Sequence, residues 1–226
     1  MNMKKTTVLM AILGSLAVSG AANAANSQAT MKLEGTIVPA TCNINLDGGN
    51  SKALSLGKIS AAEVLKENGS AYQLQEKTVH LNINCPSPTI VGFQVMDLGE
   101  KAGQVDLAGA KNNALFSLGT TKSGAISGGY LVSLNSGKID AQTVAQFISS
   151  ETGENWKIFS SDNNGIDATK KTIYSWTAKS GNLAPAIGLS HSIEMKVLPY
   201  VNPLLEKDAA DQINLRGEAT YDLVYL

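Results

Sequence analysis

Residues 217–226, GEATYDLVYL, decide how the rest of the chain is read. Tyr221, Leu223 and Tyr225 alternate with Asp222 and Val224, and a period of two puts an aromatic and apolar row on one face of a β-strand. The end of a domain is normally frayed and polar. This end is patterned like core, so a neighbouring strand is expected to cover it.

Outward from that segment, the same signature recurs along the chain. Strands are predicted in MKLEGTIVPATCNI, KALSLGKI, KTVHLNINC, TIVGFQVMDL, NALFSLGTT, GGYLVSLN, WKIFSS, TIYSWTAK and HSIEMKVLPYV. Turn chemistry separates them at Asp47-Gly48-Gly49-Asn50, Cys85-Pro86-Ser87-Pro88, Ser127-Gly128-Gly129 and Asp162-Asn163-Asn164-Gly165. Many short strands punctuated in this way imply an all-β sandwich. Two stretches read as helices in connections: 60–69, from a Ser60 cap with Glu63 three residues on to Gly69, and IDAQTVAQFISS, where Val144, Phe147 and Ile148 share a helical face. No linker, repeat or low-complexity tract divides the chain, and one domain is expected, with the region 97–190 as an elaboration upon it.

The opening residues place Lys4 and Lys5 before an apolar run from Val8 to Val18, followed by Ala22-Asn23-Ala24. That order is a secretory signal peptide over 1–24, too short in its apolar part to anchor in a membrane. The exported product is expected to be soluble rather than membrane-embedded. In that context Cys42 and Cys85 are expected to be disulfide-bonded. Closing a loop of that length contributes about 4 kcal/mol in the chain-entropy model. With 18 basic and 19 acidic residues and Arg216 as the sole arginine, there is no basic face for a phosphate backbone, so nucleic acid is not an expected partner.

The inventory for catalysis is thin. His80 sits on the polar side of the alternating run Val79-His80-Leu81-Asn82-Ile83 and reads as solvent-facing, and His191 opens another strand. No H-E-x-x-H, G-x-S-x-G or Walker-type loop occurs. Glu151 with Glu154, and Asp208 with Asp211, share loops and read as solvated surface. Asp162, Asn163, Asn164 and Asp167 have the oxygens a calcium ion takes, but the stretch is also a good turn. Trp156 and Trp176 could stack on sugars or lie in the core. No enzyme activity, cofactor or metal is expected.

Near the other end, Ala29, Met31, Leu33, Gly35 and Ile37 fall on one face of a second alternating segment, with Thr30, Lys32, Glu34 and Thr36 on the other. Edge strands of monomers are usually blunted against pairing with other molecules, and here two apolar strands lie at opposite ends of the chain. Signal peptide, this segment with Gly35 before GTIVPATC, KTVHLNINC with the second cysteine, and ATYDLVYL with Tyr225 together resemble a pilus subunit of the chaperone-usher class from Gram-negative bacteria. The likeness covers roughly 29–96 and 190–226. It departs at position 213, which is Ile where the family often has glycine, and in a longer middle.

That resemblance implies an incomplete immunoglobulin-like β-sandwich whose missing strand is supplied by another molecule: first a periplasmic chaperone, then, at the outer-membrane usher, the extension of another pilus subunit. It implies a donor-strand extension over 25–41 running into the first strand, and a pilin domain over 42–226. Ala29, Met31, Leu33 and Ile37 would be the donated side chains and Gly35 the place where none fits. Tyr221, Leu223 and Tyr225 would line the acceptor groove and chaperone contact, and the Cys42–Cys85 bond would clamp the strand after the extension. The expected product is a structural subunit of a cell-surface fimbria contributing to adhesion. The rival reading is a self-contained secreted β-sandwich that binds carbohydrate through Trp156 or Trp176 and acidic loops.

Overall fold

A computed structural model of the chain describes residues 30–37, 41–60, 71–99, 112–160, 165–202 and 212–226. The expected signal peptide over 1–24, Ala29, most of the expected 60–69 helix, Asp162 to Asn164, and Asp208 with Asp211 lie outside the described residues. The chain divides into two compact units, Met1–Val38 and Pro39–Leu226. Among the described residues no helix is long and apolar enough to cross a membrane.

The second unit is all-β. Its elements are β1 (Asn43–Leu46), β2 (Tyr72–Gln73), β3 (Lys77–Asp97), β4 (Leu115–Ser117), β5 (Gly128–Ile139), β6 (Gln142–Thr143), β7 (Gln146–Ser150), β8 (Lys157–Ile158), β9 (Ile173–Thr177), β10 (Ile187–Val201) and β11 (Ala219–Tyr225), with one 3-10 turn at Asn112–Ala114. Every pairing among them is antiparallel. The central order is β4-β5-β10-β3-β9-β7-β8, and the sheet curls upon itself around β3.

β3 makes the curl possible because it changes neighbours along its length. Its first half pairs with β10 on one edge and β1 on the other, up to Ile90. From Val91 to Asp97 it pairs instead with β11, and with β9 at Phe93. Sequence reading placed a turn at Cys85-Pro86-Ser87-Pro88 between two strands, but the strand runs straight through. Proline lacks the N–H a ladder needs and is confined to edges and irregularities. Here the two prolines fall where the register jumps, from Asn84 opposite Ser190 to Thr89 opposite Gly188, and both are exposed.

Alternation along β3 and β10 drives the packing. Val79, Leu81, Ile83, Val91, Phe93 and Val95 from the first, and Ile193, Met195 and Val197 from the second, are buried with Phe116, Val132 and Trp176 in one core. Phe93 is its centre, with ring centroids 5.6 Å from Tyr174, 6.4 Å from Trp176 and 6.2 Å from Tyr221.

Two further sequence expectations are corrected. IDAQTVAQFISS is not a helix: Asp140 and Ala141, at φ 47° and 68°, form the two-residue turn between paired Ile139 and Gln142, and the chain continues as β6 and β7. Paired left-handed residues match the twist of a hairpin. The helical spacing of Val144, Phe147 and Ile148 arises because Val144 packs on Gly137 while Phe147 and Ile148 lie opposite Trp176 and Ser175 in a ladder. KALSLGKI, in turn, keeps its alternation but forms no strand. Leu54 and Leu56 lean on the core, yet none of its backbone groups joins a ladder.

Of the first unit, residues 30–37 form no regular secondary structure. The pattern predicted a strand there; the alternation exists without a ladder partner.

Candidate functional site

A concavity of the second unit follows from the way β1 and β11 leave β3. β1 begins and β11 ends near one point, where the Cys42 N–H donates to the Tyr225 hydroxyl at 2.8 Å. From there β1 runs along the first half of β3, Asn43 opposite Asn84 and Leu46 opposite Leu81. β11 lies along the second half, Tyr225 opposite Val91 and Ala219 opposite Asp97. The two strands therefore diverge, and among the described residues each pairs only with β3. Between them opens a cleft of about 1930 Å³.

Its floor is core. Val79, Leu81, Tyr130, Val197 and Val201 reach it between the margins. One margin is β1 with residues 50–59, and the other is residues 212–222. Both margins carry half-buried apolar residues at alternate positions, Leu54 and Leu56 on one side and Ile213 and Leu215 on the other, without belonging to a strand. The 212–218 margin is held by two backbone bonds, Arg216 N–H to Leu118 O at 2.9 Å and Leu98 N–H to Glu218 O at 2.8 Å. Gly217 belongs there for steric reasons: a Cβ would come within 2.6 Å of the Tyr130 ring and 2.8 Å of the Ser117 carbonyl.

The predicted acceptor residues separate by depth. Tyr221 lines the cleft and packs on Phe93, and burial pushes its phenol above the ordinary range. Leu223, opposite Phe93, packs into the core. Tyr225 is half exposed, and its hydroxyl ties β11 to Cys42. Cys42 and Cys85 are disulfide-bonded, closing the same corner covalently. Sequence reading missed the 212–216 margin; the alternation of Ile213 and Leu215 was its signal.

Met31, Leu33 and Ile37 are 84%, 85% and 99% exposed, and the Cβ position of Gly35 meets nothing within 4 Å. These side chains are too apolar for that exposure to be neutral, at about 1.5–3 kcal/mol each between water and a buried site.

The other candidates resolve into structural roles. Trp176 is fully buried and offers no face to a sugar, while Trp156 is half-buried. Trp176 Nε1–H donates to His191 Nδ1 at 3.2 Å, and His191 Nε2–H donates to the Gly188 carbonyl at 3.2 Å. That pattern fixes a neutral imidazole, and burial holds its pKa below the usual value. His80 faces solvent beside Asp47, Nδ1 to Oδ1 at 3.2 Å. Burial pushes the Asp47 carboxyl up, but the His80 backbone N–H and the Lys52 ammonium outweigh it and leave the group below its ordinary value. Asp167 spends its carboxylate internally, accepting from Asn113 Nδ2 at 2.7 Å and from Thr169 N–H at 2.7 Å. Glu151 and Glu154 are exposed, and no cluster of three metal-ligating side chains occurs among the described residues.

Compared with protein-family models and with curated proteins, the chain matches none.

Proposed function

We propose that this protein is a non-enzymatic structural subunit of a chaperone-usher surface fimbria that polymerises by donor-strand exchange. The observation that carries the reading is the core-floored cleft between β1 and β11, together with an alternating apolar segment, Met31-Leu33-Gly35-Ile37, left in solvent. On this reading the second unit is an immunoglobulin-like sandwich short of one strand. A strand seated between β1 and β11 receives backbone hydrogen bonds from the unpaired margins, and its alternate side chains fill the floor.

The magnitudes are consistent. Burying Met31, Leu33 and Ile37 contributes about 5–9 kcal/mol as an upper estimate. A whole domain is stable by about 5–15 kcal/mol, so an empty cleft leaves a subunit marginal and in need of a chaperone's strand during export. Because the donated segment and the cleft are different surfaces, each copy gives one and accepts one, and such heterologous pairing grows a fibre instead of closing. The burial of Trp176 removes one of the two platforms on which the carbohydrate-binding alternative rested.

The test compares the exported chain with a variant lacking residues 25–38 on unheated denaturing gels. A ladder is expected from the first and monomer from the second. A ladder from the deletion variant overturns the reading, as does failure of a synthetic peptide of residues 29–37 to raise that variant's unfolding midpoint.

A further inference from the structure

β3 and β11 carry exposed apolar side chains at both ends of their shared ladder. At the Tyr225 end lie Tyr225 itself and Leu226, whose N–H donates to the Ile90 carbonyl at 3.1 Å, and opposite Ile90 stands Ile187, followed by Leu189. All four are substantially exposed, Ile187 at 60%. At the Ala219 end, Met96 and Leu98 are 44% and 48% exposed. Exposed apolar residues scattered singly are ordinary; here they gather in two groups, one at each end of one strand pair.

We propose that these two ends are complementary faces of a second contact between copies of this chain, the Tyr225 end of one copy seated on the Met96–Leu98 end of the next. The inference rests on the donor-strand reading and adds to it an interface at the rim of the cleft, which Leu98 borders. Every described strand pair of the domain is antiparallel, and a strand added antiparallel beside β11 points its C-terminal end toward Ala219. In the accepting copy, Ile37 of the donor therefore lies at the end where Leu98 borders the cleft. Cys42 follows five residues later, a reach of at most about 18 Å. Cys42 is also where Tyr225 is tied by its hydroxyl. The short connection thus holds the Tyr225 end of the donor within that reach of the Met96–Leu98 end of its acceptor.

The test is a full-length chain carrying Ile187→Cys and Met96→Cys. Within one copy these positions lie about 20 Å apart, six residues along β3, too far to bond to each other. Mild oxidation of assembled fibres is expected to give a ladder that survives boiling and collapses with reductant, and neither single variant should give one. A ladder from Ile187→Cys alone means like ends meet and overturns the proposal. So does a double variant whose unheated ladder is normal but is not made boiling-resistant, which leaves donor-strand exchange standing. Absence of any unheated ladder from the unaltered chain removes both readings. A cysteine-free check uses charge: Ile187→Asp is expected to give fibres several-fold shorter, and Met96→Lys added to it to restore their length. Unchanged length in Ile187→Asp, or no restoration, counts against the contact.

Discussion

His191 and Trp176 show how a residue's meaning is set by a partner the sequence does not name. Each was a candidate for chemistry, and each is satisfied by the other in the core. The consequence is a pH dependence whose sign follows from the neutral imidazole. In the unfolded chain the histidine protonates near its ordinary 6.5, whereas burial depresses the folded value. Above pH 6.5 both states hold a neutral ring and no penalty exists. As pH falls below it, the unfolded state takes up the proton first and stability declines by up to about 1.4 kcal/mol per pH unit until the folded value is passed. Urea unfolding at pH 7.5 and 5.5 should show a larger loss in the natural chain than in His191→Gln, whose side-chain oxygen can still accept from Trp176. Equal losses would mean the ring is charged inside the fold. Gly217 makes the complementary point: its contacts with Tyr130 and Ser117 come from distant segments, and local pattern does not contain them.

At the scale of elements, period-two alternation was a reliable guide where a strand has neighbours on both edges or a buried face. β5, β9, β10 and β11 were all legible in this way. The failures share one cause. A periodic pattern reports which side chains face the core, not whether the backbone finds a ladder, so KALSLGKI kept its inward leucines without becoming a strand. The spacing of Val144, Phe147 and Ile148 fits a helix face as well as two short hairpin strands, and the Asp140-Ala141 turn lacks the glycine that usually announces one. That turn also gives a prediction. Ala141 is exposed and left-handed at φ 68°, a conformation that costs an alanine about 1–2 kcal/mol and a glycine little. Offsetting the extra freedom glycine has when unfolded, Ala141→Gly should stabilise the protein by about 0.5–1 kcal/mol, read as a higher urea midpoint at unchanged slope. A lower midpoint would show that the hairpin does not hold this residue in the left-handed region.

For the whole molecule, the all-β class and the disulfide could be read in advance, but the walls and floor of the cleft could not, because its margins come from residues 50–59 and 212–222 and its floor from β3, β5 and β10. Only the core-like face of β11 hinted at an uncovered side. The Cys42–Cys85 bond has a mechanical consequence of its own. It joins the start of the domain to the middle of β3, so tension pulled between the N-terminal residues and β11 passes from Cys42 directly into β3 and on to β11 through the Val91–Asp97 ladder. Residues 43–84 form a side loop that cannot be stretched while the disulfide holds. The covalent path carries the load past β1 and one entire wall of the cleft, and the shear strength of a single seven-residue ladder sets the force the domain withstands.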